Sequence, residues 1–341
     1  MSEMTMMKKH SFLVAALLLV SSLLYPQAKT GTSVGAFLSI EPSSRITGMG
    51  NAGVTLYSEP QSVYYNPGSM GFMQGSAVQL THSTWLADIT YDYGVVMFPV
   101  EGIGNLYATV TALNSGEIDV RTVDQPLGTG ERYSVSDAAV GIGIGRQVSD
   151  RFAIGLQANY IQETIWHSEM SAFSFSIGTI YRLSPDGIHL GASISNFGTR
   201  GQYNGRDLRV LYDQNPSIFG DNGALPAQIF TGDFPLPVMF RVGIGIPMQI
   251  SEANNVTVAV DAFHPSDNTE SVSIGAEYLF DRMIALRAGY QNLFLQDSEV
   301  GLTLGAGIEY EMSGYHFTFD YAWADHGRLQ EAHRITVGLS L

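Results

Sequence analysis

Tyr315-His316-Phe317-Thr318-Phe319-Asp320-Tyr321-Ala322-Trp323 places an aromatic residue at every second position, with small or polar residues between. Strand side chains point to opposite faces in turn, so this stretch reads as a strand with one oily face and one wet or packed face. The same alternation recurs upstream. Over 238–246, Val238, Phe240, Val242, Ile244 and Ile246 share a face opposite Arg241, Gly243 and Gly245. Over 272–280, Val272, Ile274, Ala276, Tyr278 and Phe280 oppose Ser273, Gly275 and Glu277. A sandwich in water also alternates, but its outward face is charged. Here the second face is mostly Gly, Ser and Thr, the pattern of a strand whose apolar side meets lipid and whose polar side meets a lumen.

Composition agrees. Only 14% of the 341 residues are charged, against about 25% in an ordinary soluble domain. With no cysteine, a disulfide scaffold, a thiolate metal site and a cysteine nucleophile are excluded. A net charge of −15 argues against nucleic acid as a partner, since phosphate contacts need excess Lys and Arg. No cofactor and no enzymatic activity are expected.

Fourteen alternating segments follow from this reading: 76–84, 89–99, 104–113, 135–148, 151–163, 171–182, 187–195, 237–248, 254–263, 270–280, 283–292, 301–311, 315–323 and 333–341. An even count suits a closed antiparallel transmembrane β-barrel with tight periplasmic turns and longer external loops. The expected loops are 85–88, 114–134, 164–170, 196–236, 264–269, 293–300 and 324–332. No stretch after the first thirty residues is long and apolar enough for a spanning helix, for which about 20 residues are needed.

The chain divides into three parts. Lys8-Lys9-His10, the apolar run Phe12 to Leu24 and a small residue at Ala28 form a secretory signal peptide over 1–28. Residues 29–75 do not alternate and are rich in Gly, Ser and Pro, yet hold too many apolar residues for disorder. They are expected to form an N-terminal plug (hatch) inside the barrel of 76–341. Gly141, Gly143, Gly145, Gly155, Gly243, Gly245, Gly275 and Gly289 fall on the inner face, where a missing Cβ lets another backbone approach.

Gly35-Ala36-Phe37-Leu38-Ser39-Ile40, Ser43-Ser44-Arg45-Ile46-Thr47-Gly48-Met49-Gly50-Asn51-Ala52-Gly53-Val54 and Val63-Tyr64-Tyr65-Asn66-Pro67-Gly68 resemble the N-terminal signature of PorV/PorQ-family outer-membrane proteins. Where that family usually has Asn-Pro-Ala, this chain has Asn66-Pro67-Gly68. The signature covers about 35 residues; the remainder resembles the family in architecture and length only. The resemblance implies a barrel similar in fold to the FadL long-chain fatty-acid transporters, in the outer membrane of a Gram-negative bacterium. It also implies a cargo-handling or translocon-associated role in type IX protein secretion, with secretion translocon subunits and exported cargo proteins as partners beside outer-membrane lipid. The alternative is a FadL-like transporter holding a hydrophobic ligand among hatch and lumen side chains.

Within this reading Arg45, Gly48, Met49, Gly50, Asn66 and Pro67 are the hatch motif. A buried Arg45 needs carboxylates, and Asp261, Glu277, Glu309 and Asp320 lie on the inner face with Arg241 and Arg287 among them. The loop 196–236 carries Tyr203, Arg206, Arg209, Tyr212, Phe219 and Phe230, residue types enriched at interface hot spots. It is either a partner surface or a lid over the barrel mouth. Gly141-Ile142-Gly143-Ile144-Gly145 lacks the strand–turn–helix setting of a nucleotide loop. His326, His333 and His167 sit among too few ligands for a metal site, and Ser83 and His82 point to opposite faces of one strand.

Overall fold

A computed structural model describes residues 31–341 apart from 185–186, 216, 219, 221–222 and 296–297. The signal peptide expected over 1–28 therefore lies outside the described residues, as does Phe219. Fourteen long strands form the wall: β1 (Ala77–Thr84), β2 (Thr90–Val100), β3 (Gly104–Asn114), β4 (Val135–Ser149), β5 (Phe152–Ile165), β6 (Ser168–Arg182), β7 (His189–Gly198), β8 (Met239–Gln249), β9 (Asn255–Pro265), β10 (Ser271–Phe280), β11 (Ile284–Leu293), β12 (Leu302–Met312), β13 (Tyr315–Asp325) and β14 (Glu331–Ser340). Each pairs antiparallel with its neighbours in sequence. β1 also pairs with β14, from Ala77 opposite Ser340 to Thr84 opposite His333, so the sheet closes into a barrel. Hydrocarbon offers no hydrogen bonds, and a closed ladder is the one sheet that leaves no edge unpaired there.

The alternation appears as burial. Along β8, Met239, Arg241, Gly243 and Gly245 are buried and Phe240, Val242, Ile244 and Ile246 exposed. Leu80, Val110, Ile142, Phe175, Leu286, Phe319 and Val337 extend the exposed apolar band around the wall. The short connections 101–103, 150–151, 250–254, 281–283 and 313–314 lie at one end, here the turn side, and the long 115–134 and 199–238 at the other, the loop side.

One expected loop is not a loop. β5 and β6 run to Ile165 and from Ser168, leaving a two-residue turn at Trp166 and His167 where 164–170 was expected. Glu163, Thr164 and Glu169 broke the apolar pattern, yet Glu163 pairs with Met170 and Thr164 with Glu169 in an unbroken ladder. Once a hairpin passes the hydrocarbon band its ladder no longer needs an oily face. The 199–238 connection is also partly structured. Gly201–Gln202 pairs with Asp233–Phe234, Arg209–Tyr212 with Leu225–Gln228, and Asn204–Gly205 extends the β5–β6 hairpin by pairing with Ser168 and Glu169.

Residues 34–72 are mostly buried and pack on inward-facing side chains from around the wall. They form only short helical turns, Ala36–Ser39, Ser44–Gly48, Ser62–Tyr65 and Pro67–Gly71. Ser33 and Val34 bond to Asp267 and to the Pro235 carbonyl on the loop side. At the other end Ser76 meets the terminal Leu341 on the turn side. The segment therefore runs the length of the lumen.

Ile244 lies at the middle of β8 on the outer face. Ile244→Arg should destabilise the barrel by about 2–4 kcal/mol, the usual cost of a cation at the bilayer midplane. Urea titration in lipid vesicles, followed by tryptophan fluorescence, measures it.

Candidate functional site

The inner segment is seated by missing side chains as much as by present ones. Gly50 adopts φ +67, and its N–H donates to Thr303 Oγ1 on β12. A Cβ on Gly275 would stand 2.0 Å from the Met49 carbonyl, and one on Gly289 2.1 Å from the Gly50 nitrogen. Met49 is fully buried in that seat, and Gly48 lies against Gly305. Asn66 ties the segment together: its Oδ1 accepts from Gly68 N, while its Nδ2 donates to the carbonyls of Val54 and Thr179. Pro67 opens the short 3-10 turn that follows.

Arg45 meets Glu277 on β10, with Nη2–Oε1 2.6 Å and Nε–Oε2 2.8 Å. Glu277 Oε2 also accepts from Arg287 Nε at 2.6 Å, and Arg287 Nη1 donates to Asp320 Oδ1 at 2.6 Å. The result is an alternating chain across β10, β11 and β13, in which each buried charge has an opposite neighbour. A cleft of about 400 Å³ on the turn side reaches both Arg45 and Glu277. The other lumen charges stand apart from this chain. Asp261 accepts the Val54 N–H at 2.8 Å. Arg241 lies under the rings of Tyr64, Tyr65 and Phe263. Glu309 is 3.6 Å from His316. Arg334 was not among the expected site residues, yet its Nε donates to the Glu41 carbonyl and its guanidinium lies over Trp85. Alternation in β14 places it inward with Ala332 and Thr336, opposite the outward Ile335 and Val337, and was the available signal.

Of the residues singled out in 196–236, Tyr203 turns inward, its hydroxyl donating to Glu163 Oε2. Arg206 Nη2 lies within hydrogen-bond distance of the His167 ring nitrogens, and Arg209 and Tyr212 lie exposed in the small ladder. Phe230 is 86% exposed. Tyr203 also lines a groove of about 710 Å³ on the loop side, with Ile118, Tyr133, Ile165, Trp166 and Asp207.

Behind the inner segment lies a cavity of about 40 Å³, lined by Leu38, Tyr64, Tyr91, Gln157, Asn159 and Ser176 among others. On the outer face of β2–β7 is a depression of about 920 Å³, walled by Phe98, Leu106, Ile142, Leu156, Phe175 and Phe197. Gln157 and Ser176 line both spaces, so one layer of wall separates them. The ladder is irregular at this point: the β6–β7 register shifts between Phe175 and Ile177, where Asn196 adopts φ +61 and donates its N–H to Ser176 Oγ.

No protein-family model and no curated protein sequence matches the chain. Solved structures do. The Pseudomonas putida toluene transporter TodX is 14% identical, with 88% of this chain and 98% of that one covered at a TM-score of 0.55. The Ralstonia pickettii toluene transporter TbuX is 13% identical over 88% and 98%, at 0.53. A Pseudomonas aeruginosa FadL homologue is 11% identical over 87% and 97%, at 0.52. The barrel is FadL-like in fold. At such identities the FadL-like likeness concerns architecture, and the residues described above stand on their own contacts.

Two outcomes test the site. Removing Glu277 takes the carboxylate from Arg45 and leaves Arg287 only Asp320, whereas removing Arg45 leaves Glu277 still held by Arg287. Glu277→Ala should therefore cost about 3–5 kcal/mol and Arg45→Ala clearly less, in urea titrations of the two variants. On the loop side, burial and then the Arg334 guanidinium push the His326 imidazole down to about 4. The unfolded chain takes up that proton near the ordinary value of 6.5. This contribution to stability is thus complete above pH 6.5 and is lost as pH falls toward 4. His326→Gln should lose less stability than the wild type over that window in thermal melts in detergent.

Proposed function

We propose that this chain is a conduit for apolar small molecules across the outer membrane of a Gram-negative bacterium. One observation carries the reading: Gln157 and Ser176 line both the cavity behind the inner segment and the oily depression on the lipid side. A molecule lodged behind Leu38 and Tyr64 needs to cross only the one layer of wall, where the β6–β7 register shifts, to reach hydrocarbon without entering water. The polar groups at that layer hold one another: Gln157 Nε2 donates to Thr109 Oγ1 and Asn159 Oδ1, and Asn159 Nδ2 to Ser174 Oγ. At about 40 Å³ the cavity has room for little more than one water, so the passage described here is closed. Opening it requires Leu38 or Tyr64 to move. The presence of toluene transporters among the fold relatives supports the choice of cargo class. The secretion role rests on the N-terminal resemblance alone, and none of the fold relatives reported above is described as a secretion component.

Uptake of radiolabelled toluene by cells carrying the folded barrel should exceed that of cells with empty vector, and Ser176→Trp should abolish the excess. Uptake equal to the vector control, with heat-modifiable barrel present in the outer membrane, would rule the conduit out. Co-purification of exported proteins instead would favour secretion.

A further inference from the structure

Two carboxylates sit side by side in an apolar cup on the loop side of the lumen. Asp137 on β4 and Glu163 on β5 are register partners, 8% and 5% exposed. Glu163 accepts only neutral donors, the Gly35 N–H at 2.8 Å and the Tyr203 hydroxyl at 2.7 Å. Asp137 Oδ1 has no hydrogen-bond partner. Among the described residues, no Arg, Lys or His forms an ion pair with either group. Buried carboxylates of like charge need a counter-charge or a proton. The lumen supplies such partners elsewhere, as in the chain from Arg45 to Asp320, and withholds them here.

The surroundings are apolar. Ala139, Ile161, Met170, Ala172 and Leu236 form the cup, and the chain's own Phe37 and Leu38 fill it. Tyr203, whose hydroxyl binds Glu163, also lines the loop-side groove of about 710 Å³, so the acid pair lies one side chain from an open approach. We infer that the cup is a binding seat for an apolar amine, its ammonium held by Asp137 and Glu163 and its hydrocarbon part displacing Phe37 and Leu38. The segment Val34–Leu38 is then an internal occupant: it offers an apolar side chain and one N–H donor, and lacks the cation. An arriving amine supplies both, and the matching charge is what a neutral hydrocarbon cannot provide.

The test uses the full barrel in detergent micelles, with 2-phenylethylamine as probe and 2-phenylethanol as a neutral molecule of similar shape, by titration calorimetry. The amine should bind at least about tenfold more tightly than the alcohol. Asp137→Asn should erase that preference while leaving the alcohol unchanged, since Asp137 holds no other group in place. Phe37→Ala, which empties the cup without touching the acids, should tighten amine binding. Equal binding of amine and alcohol to the wild type, or an amine preference that survives Asp137→Asn, would overturn the inference and leave the pair as carboxyls sharing a proton. If Asp137→Asn does not fold, unaltered amine affinity in Phe37→Ala overturns it as well. The inference goes beyond the conduit reading and is separable from it: amine binding without toluene uptake would sink the conduit and leave the seat.

Discussion

Hydrocarbon cannot hydrogen-bond, and that single constraint organises this molecule. Every backbone group at membrane depth has to find a protein partner, which makes the ladder close between β1 and β14 and forces period-two side chains along each strand. Closure then creates an interior from which lipid is excluded. An inner face of Gly, Ser and Thr leaves room there for a second piece of backbone to lie against the wall.

What fills that room is held by polar contacts as well as by apolar clusters with the wall. Asn66 spans two carbonyls, Asp261 takes a backbone N–H, and Ser44 meets Thr336 Oγ1. Buried charges are tolerated where they alternate, from Arg45 through Glu277 and Arg287 to Asp320. Apolar clusters sit at several levels of the lumen, around Phe37 on the loop side, around Met70 against Val95 and Met97, and around Phe72 against Ala153 and Ile180 on the turn side.

The strands were legible because lipid exposure imposes its alternation residue by residue. All fourteen expected segments coincide with long strands, and their ends differ by few residues. The error at 164–170 arose where the hairpin leaves the hydrocarbon, since local hydrophobicity stops reporting strand there. Side-chain partnerships were less legible. That Arg45 sits against Glu277, and not Asp261 or Glu309, depends on the path of a segment with no periodicity. Asp137 and Glu163 share the inner face by parity alone, yet their adjacency follows from a β4–β5 register set by the distant turn at 150–151 and the register shift beside it. Arg334 was readable from parity in β14, although Ile335 and Val337 carried the strand signal there.

The inner segment has a polarity of its own. Its upstream end is tethered among the loops through Ser33 and Val34, and its downstream end joins β1 at the opposite rim. Traction exerted on the rim would strip the contacts at Met70 and Asn66 first and reach Phe37 last. A solute coming from the loop side would meet the same contacts in reverse order. A mechanical pull and a chemical competitor would therefore unseat this one strap from opposite ends.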